Sequence, residues 1–104
     1  MENTHRPLKL VTTIVRVELS EAVIAAIGEI GVDGWSATRG RGTSQRSYAE
    51  FFGMRIEPMK EIIYTIVTAD LALDVVAAVR IAAALDVPGN GVCFVTDIEH
   101  AVGV

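Results

Sequence analysis

Two runs of one kind, each reading strand, helix, strand, flank a glycine- and arginine-rich stretch, and this doubling limits the folds open to the chain more than any other feature. A unit that small cannot close a core alone, so the two halves must share one sheet. The stretch between them, from Arg39 to Gly53 (RGRGTSQRSYAEFFG), is then expected to project from the edge of that sheet as a polar loop. A loop of this length is usually functional or disordered.

Hydrophobic period places the elements. Residues 9–17 (KLVTTIVRV) are dense in β-branched side chains and read as a largely buried strand. Ser20 offers an oxygen as helix N-cap, with Glu21 beside the positive end of the dipole. Val23, Ile27 and Ile30 then recur on one face, and Gly31 supplies a left-handed C-cap. Residues 34–39 (GWSATR) form a second strand and residues 60–68 (KEIIYTIVT) a third. Asp70 caps the second helix, Leu71, Val75, Ala78, Val79 and Ala82 trace its apolar stripe, and Pro88 and Gly89 stop it. Residues 92–98 (VCFVTDI) are the last strand. The order βαββαβ predicts an α+β, ferredoxin-like fold: a four-stranded antiparallel sheet with both helices on one face. One domain spans 1–104, with 1–8 a flexible N-terminus and 40–56 the loop.

The other face of such a sheet needs a cover. With 51% hydrophobic residues and a mean hydropathy of +0.43, the chain is apolar for a small monomer, which predicts self-association through the sheet. A ring of subunits would also leave clefts between neighbours. Glu21, Glu29, Asp74 and Arg80 break the apolar stretches, so no membrane insertion is expected. The first seven residues lack an apolar signal core and Cys93 is the single cysteine, both of which fit a reducing cytoplasm. A net charge of −4 argues against a nucleic-acid partner.

Several short motifs, taken in order, carry a family resemblance. Residues 30–38 (IGVDGWSAT), followed by Gly40-x-Gly42, resemble the second strand and T-loop approach of PII signalling proteins. Gly89-Asn90-Gly91 with Cys93-Phe94-Val95 is similar to that family's B-loop and last strand, and residues 10–31 match its first strand and helix. The resemblance implies a homotrimer that binds adenine nucleotides in clefts between subunits and whose T-loop engages a regulated protein. By the same carry-over Ser36 and Thr38 lie near the nucleotide and Ile66 lines the adenine pocket. Gly40, Arg41, Gly42 and residues Gly89, Asn90, Gly91 and Val92 would approach phosphate.

The residues themselves leave alternatives open. Glycines at 89 and 91 can turn backbone N–H groups outward around an anion, or simply form a helix cap and a tight turn. Gly40-Arg41-Gly42 reads equally as phosphate-facing backbone or as a flexible exit from a strand. Arg39, Arg41, Arg46 and Arg55 suit a small anion or an acidic partner, and also suit a loop kept polar for solubility. Ser36 and Thr38 can be ordinary strand hydroxyls, and Ile66 ordinary core.

Departures from the family pattern sharpen the expectation. Val92 stands where the B-loop usually carries Lys, and the chain stops at Val104 without the family's arginine-bearing C-terminal segment. A charge-assisted hydrogen bond to phosphate is worth about 1.5–3 kcal/mol, and without these cations ADP or AMP is favoured over ATP, which stays possible. Tyr64 sits near a position that is often acidic. The loop lacks the Tyr-Arg-Gly-Ala-Glu-Tyr stretch, so modification of Tyr48 is not expected. These features resemble a divergent PII-like branch associated with membrane transporters, bicarbonate uptake and carboxysomes. That branch suggests bicarbonate near Arg39, Arg41 and Arg46 and a transporter as the regulated partner.

No catalytic set is visible: His5 and His100 are at opposite ends and Cys93 has no adjacent base, so the chain is not expected to be an enzyme. No metal spacing is present either, and no cofactor is expected. Trp35 reads as an anchor in the core or at a subunit interface. The alternative function is a structural or interaction trimer of the same fold that binds no nucleotide. An acylphosphatase-like domain would need an arginine-bearing loop after the first strand, which this chain lacks. For the favoured reading, phosphate at residues 89–91 of one subunit orders a neighbour's loop at 40–56, and Gly91→Trp is expected to abolish nucleotide binding while leaving the trimer.

Overall fold

The computed structural model describes residues 7–42, 49–51, 54–56 and 58–104, the two short segments by their backbone alone. The elements run β1 (Leu8–Arg16), a 3-10 turn (Val17–Leu19), α1 (Ser20–Ile30), β2 (Ser36–Arg41), β3 (Ala49–Phe51), β4 (Met54–Ile56), β5 (Met59–Thr68), α2 (Ala69–Ala82) and β6 (Gly91–Ile98). Four of the strands form one antiparallel sheet in the order β2-β5-β1-β6. This is the ferredoxin-like α+β arrangement.

Alternation sorts the side chains of each strand onto two faces. Odd-numbered residues of the central strands, Val11 and Val15 on β1 with Ile63 and Val67 on β5, are buried against Val23 and Ile27 of α1 and Ala72, Val75 and Val79 of α2. Even-numbered residues make the opposite face. There Tyr64, Ile66, Val92 and Phe94 are 39–48% exposed, while Thr12 on the central strand is shielded, in register with Tyr64 on one side and Phe94 on the other. One face is thus a closed core and the other an apolar surface in need of a cover.

Three helix boundaries differ from the sequence reading, each for a local reason. Ser20 is not the cap of α1 but its first residue, and it is buried. The 3-10 turn delivers the chain already helical, with Leu19 at φ −98° and ψ −5°, so the extended backbone that a capping serine requires is absent. The Ser20 N–H is satisfied instead by the Val17 carbonyl. Asp70 likewise lies in the first turn of α2; Thr68 takes the cap position, and the Ala69 N–H donates to the Pro7 carbonyl at 2.9 Å. That bond and the start of β1 at Leu8 tie down the end of the 1–8 segment, whose first six residues lie outside those described. At its far end α2 stops at Ala82, ahead of Pro88 and Gly89. Ala84 adopts φ +48° and the Leu85 N–H reaches back to the Arg80 carbonyl at 3.0 Å, a left-handed closure made by alanine where glycine is usual. Gly31 closes α1 as expected, at φ +100°.

β2 is displaced along the chain. It begins at Ser36, not 34, because the Thr65 hydroxyl donates to the Gly34 carbonyl at 2.6 Å and holds the chain off the ladder until that point. It then runs on to Arg41, so the first residues of the 40–56 loop are strand. Within the same loop β3 and β4 pair with each other, Ala49 with Ile56 and Phe51 with Met54.

Candidate functional site

The turn from α2 into β6 is built by its own side chains. Asn90 donates from Nδ2 to the carbonyls of Ala83 (3.1 Å) and Ala84 (3.0 Å), closing the helix end, and its Oδ1 accepts from the Arg16 guanidinium at 3.2 Å. Its backbone is used as well, with the N–H donating to the Val87 carbonyl and the carbonyl accepting from the Arg16 N–H. The Asn90 side chain is therefore committed to the fold. Gly91 has φ +150°, and a Cβ built there would lie 2.3 Å from the Ile14 carbonyl oxygen and 2.9 Å from the Val15 Cα. Gly89 has φ +92°. Both glycines are required by backbone geometry alone, so a tryptophan at 91 would disrupt β1 and β6 and could not serve as a clean block of a phosphate site.

The other half of the predicted site stands on the opposite edge. Ser36, Thr38 and Gly40 pair with Tyr64, Ile62 and Lys60 of β5, and by alternation share the uncovered face with Tyr64 and Ile66. From Ser36 the chain turns away from the sheet, so β5 continues through residues 65–68 with β1 on one side and no ladder partner from β2 on the other. A cavity of about 700 Å³ opens along that bare edge. Ile66, Leu10 and Leu71 give it apolar walls, and Trp35 and Tyr64 stand at its margin, 48% and 39% exposed. Trp35 is thus not a core anchor.

The arginines do not converge. Arg39 and Arg41 project by alternation to the helix side of the sheet, and the Arg39 Nε lies 3.6 Å from the Glu61 carboxylate. Arg46 lies outside the described residues, and Arg55 is described by its backbone only, within β4. A cation that the sequence reading missed lies between the two edges. Lys60 is only 9% exposed, and it sits in register with Gly40 on one side and Arg16 on the other. Among the described residues its ammonium makes no hydrogen bond or ion pair. A strand-end lysine ordinarily reads as solvated, which is why spacing gave no sign of it.

Cys93 is half-buried, and its Sγ accepts from the Thr13 hydroxyl at 3.4 Å. Burial pushes its thiol upward, against a smaller lowering by that hydrogen bond, so it is a poor nucleophile. Among the described residues no group of three or more His, Cys, Asp or Glu could hold a metal. No helix among them is long and apolar enough to cross a membrane.

The model of the nitrogen regulatory protein P-II family matches residues 8–104, nearly the whole chain. The chain belongs to the P-II family. A search of the curated proteins finds no match to it. As a P-II protein it is a signalling protein, and the family brings with it an expectation of small-molecule ligands, subunit association and a regulated partner. The glycine turn at 89–91 leads into β6, and the residues around Ser36 and Ile66 lie on β2 and the neighbouring β5, so the two groups stand towards opposite edges of the sheet. Neighbouring strands lie about 4.8 Å apart, so the β2 and β6 edges are about 14 Å apart.

Proposed function

We propose that this P-II protein binds an adenine nucleotide, ADP or AMP in preference to ATP, in clefts between the subunits of a homotrimer, and thereby controls what its loop at 40–56 presents to a regulated protein. The observation that carries this reading is the division of the candidate site between opposite sheet edges. Ser36, Thr38, Gly40, Arg41, Gly42 and Ile66 belong to the β2 side, and Gly89, Asn90, Gly91 and Val92 to the β6 side. One chain cannot fold these around a single ligand. Two copies can, if the β6 edge of one meets the β2 edge of the next, and that arrangement also covers Tyr64, Ile66, Val92 and Phe94. What supports a preference for fewer phosphates is the turn's own composition, since residues 83–92 carry one charged side chain, Asp86, and the guanidinium that reaches them, that of Arg16, is already engaged by Asn90 Oδ1.

Order passing from ligand to loop is the proposed switch. Gly40 and Arg41 belong both to the strand edge beside the ligand and to the start of the loop, so a phosphate held there fixes the first residues of the segment that a partner reads. The partner class suggested by the divergent branch is a membrane transporter of inorganic carbon. Bicarbonate is the second proposed ligand, and the buried ammonium of Lys60 beside Gly40 gives such an anion a counter-charge. The protein is placed in the cytoplasm, as one domain.

Thermal unfolding in the presence of AMP, ADP, ATP and cyclic AMP tests the nucleotide reading, since a ligand that binds only the folded state raises the midpoint by mass action. A rise with ADP or AMP larger than with ATP supports it. Silence from all four favours the other reading, a structural trimer of the same fold, which the self-sufficient hydrogen bonding of Asn90 and the cation-free turn make specific. Sedimentation tests the assembly: a monomer has no cleft, and both readings fail. Calorimetry with bicarbonate, alone and with ADP, is expected to give heat, and its absence in both removes the second ligand.

A further inference from the structure

One face of the sheet is given to the helices and the other to the proposed trimer, which leaves the outer surface of the helix layer to solvent. There α1 and α2 pack side by side. The outermost line of α1 is Glu21, Ala25 and Glu29 and that of α2 is Leu73, Ala77 and Ile81, each at helical spacing and all six exposed. In both lines two larger side chains stand two turns, about 12 Å, apart over a central alanine. Leu73 and Ile81 are 76% and 82% exposed, so the line on α2 is an apolar ridge that neither the core nor the sheet association covers. The line on α1 is acidic. Glu29 lies in the last turn of its helix, where the dipole disfavours a carboxylate, so α1 gains nothing from it. Among the described residues the carboxylates of Glu21, Glu29 and Asp74 make no ion pair, and the one cation that the two helices carry, Arg80, is held by Asp86 at 3.0 Å.

We infer that the outer helix surface is a docking site for a basic amphipathic helix of another protein, laid along the groove between α1 and α2. This goes beyond the nucleotide reading and does not depend on it. Charge decides among the possible occupants. A second copy would set carboxylates against carboxylates, and an anionic lipid surface would be repelled in the same way. A helix with lysine or arginine on one flank answers the acidic line, and its apolar residues at i, i+4 and i+7 meet Leu73 and Ile81. The small side chains of Ala25 and Ala77 let such a helix lie close to both axes. The apolar ridge holds the partner, while the exposed carboxylates steer its approach and set which partner is accepted.

The probe is a labelled helical peptide of about eighteen residues with leucine at i, i+4 and i+7 and lysine on the flanking positions, and its control carries glutamate for lysine. Anisotropy is followed as the full-length protein is added, for wild type, Leu73→Ser, Ile81→Ser, Glu29→Lys and Glu99→Lys. Expected are binding of the lysine peptide that weakens with salt, and none of the control. Each serine variant and Glu29→Lys lose about tenfold in affinity, whereas Glu99→Lys, which makes the same change of net charge away from the helices, loses none. Should a serine variant fail to fold, judged by circular dichroism, hydrogen exchange of the wild type carries the test. Protection that rises in α1 and α2 on adding the peptide supports the docking site, and protection confined elsewhere overturns it. No binding, equal binding of the control, or equal losses in Glu29→Lys and Glu99→Lys overturn it too. So does growth of the free protein beyond a trimer that Ile81→Ser reverses, which would give this surface to a second copy, or wild-type binding to phosphatidylserine vesicles that Ile81→Ser abolishes, which would give it to a membrane.

Discussion

The sequence contains the same short pattern twice, Gly40-Arg41-Gly42 and Gly89-Asn90-Gly91, and the fold makes opposite demands on the two. At 89–91 both glycines have positive φ, one of them with the β1 backbone where a side chain would start, and the residue between them makes three side-chain hydrogen bonds. At 40–42 neither glycine is left-handed; among the described residues a Cβ at Gly40 would make an ordinary 3.5 Å contact with Ile62 and one at Gly42 would touch nothing within 4 Å. The first pair is a necessity of folding. At 40–42 no such demand is seen among the described residues. A pattern shared by two loops is thus no guide to function until the neighbours of each Cβ are known.

Substitutions break or sharpen this contrast in a graded way. Gly91→Ala should be the most damaging, costing about 3 kcal/mol or more, because the new Cβ meets backbone that cannot yield. Urea unfolding would show it, and a loss under about 1 kcal/mol would mean that the turn is adaptable and the contrast false. Asn90→Ala removes two caps on carbonyls and the anchor of Arg16, for an expected cost of about 2–3 kcal/mol by the same measurement. Ala84→Gly should act in the other direction, adding about 1 kcal/mol of stability by relieving a left-handed alanine at the helix end. Gly42→Ala should leave stability within about 0.5 kcal/mol, since the site is open. If ADP affinity nevertheless falls in Gly42→Ala, backbone at this position touches the ligand; if it does not, the glycine serves the loop.

How much of this was legible in the sequence varies by element. The buried strands announced themselves because β-branched runs such as residues 9–17 leave few alternatives, and the core stripe of α1 followed from Val23, Ile27 and Ile30 at helical spacing. Gly31 could be read as a left-handed cap because the demand is local. Ser20 could not be placed, since its role depended on a 3-10 turn that residues 17–19 do not advertise. For Trp35 the sequence leaves two places open, the core or a subunit interface, and its 48% exposure at a cavity margin, ahead of the start of β2 at Ser36, rules out the core and not the interface. Lys60 was missed because burial of a strand-end lysine is decided by strands on both sides of it.

The sequence by itself determined the order of the four main-sheet strands and two helices, the buried stripe of α1 and part of that of α2, and membership of the P-II family, but not the β3–β4 pair within the loop. These rest on periodicity and capping, which act over a few residues. Tertiary structure decided which glycines are obligatory, which lysine is buried, and that the candidate nucleotide residues fall on two opposite edges. Those properties depend on the strand lying alongside, and a neighbour far away in the chain leaves no mark on the local pattern.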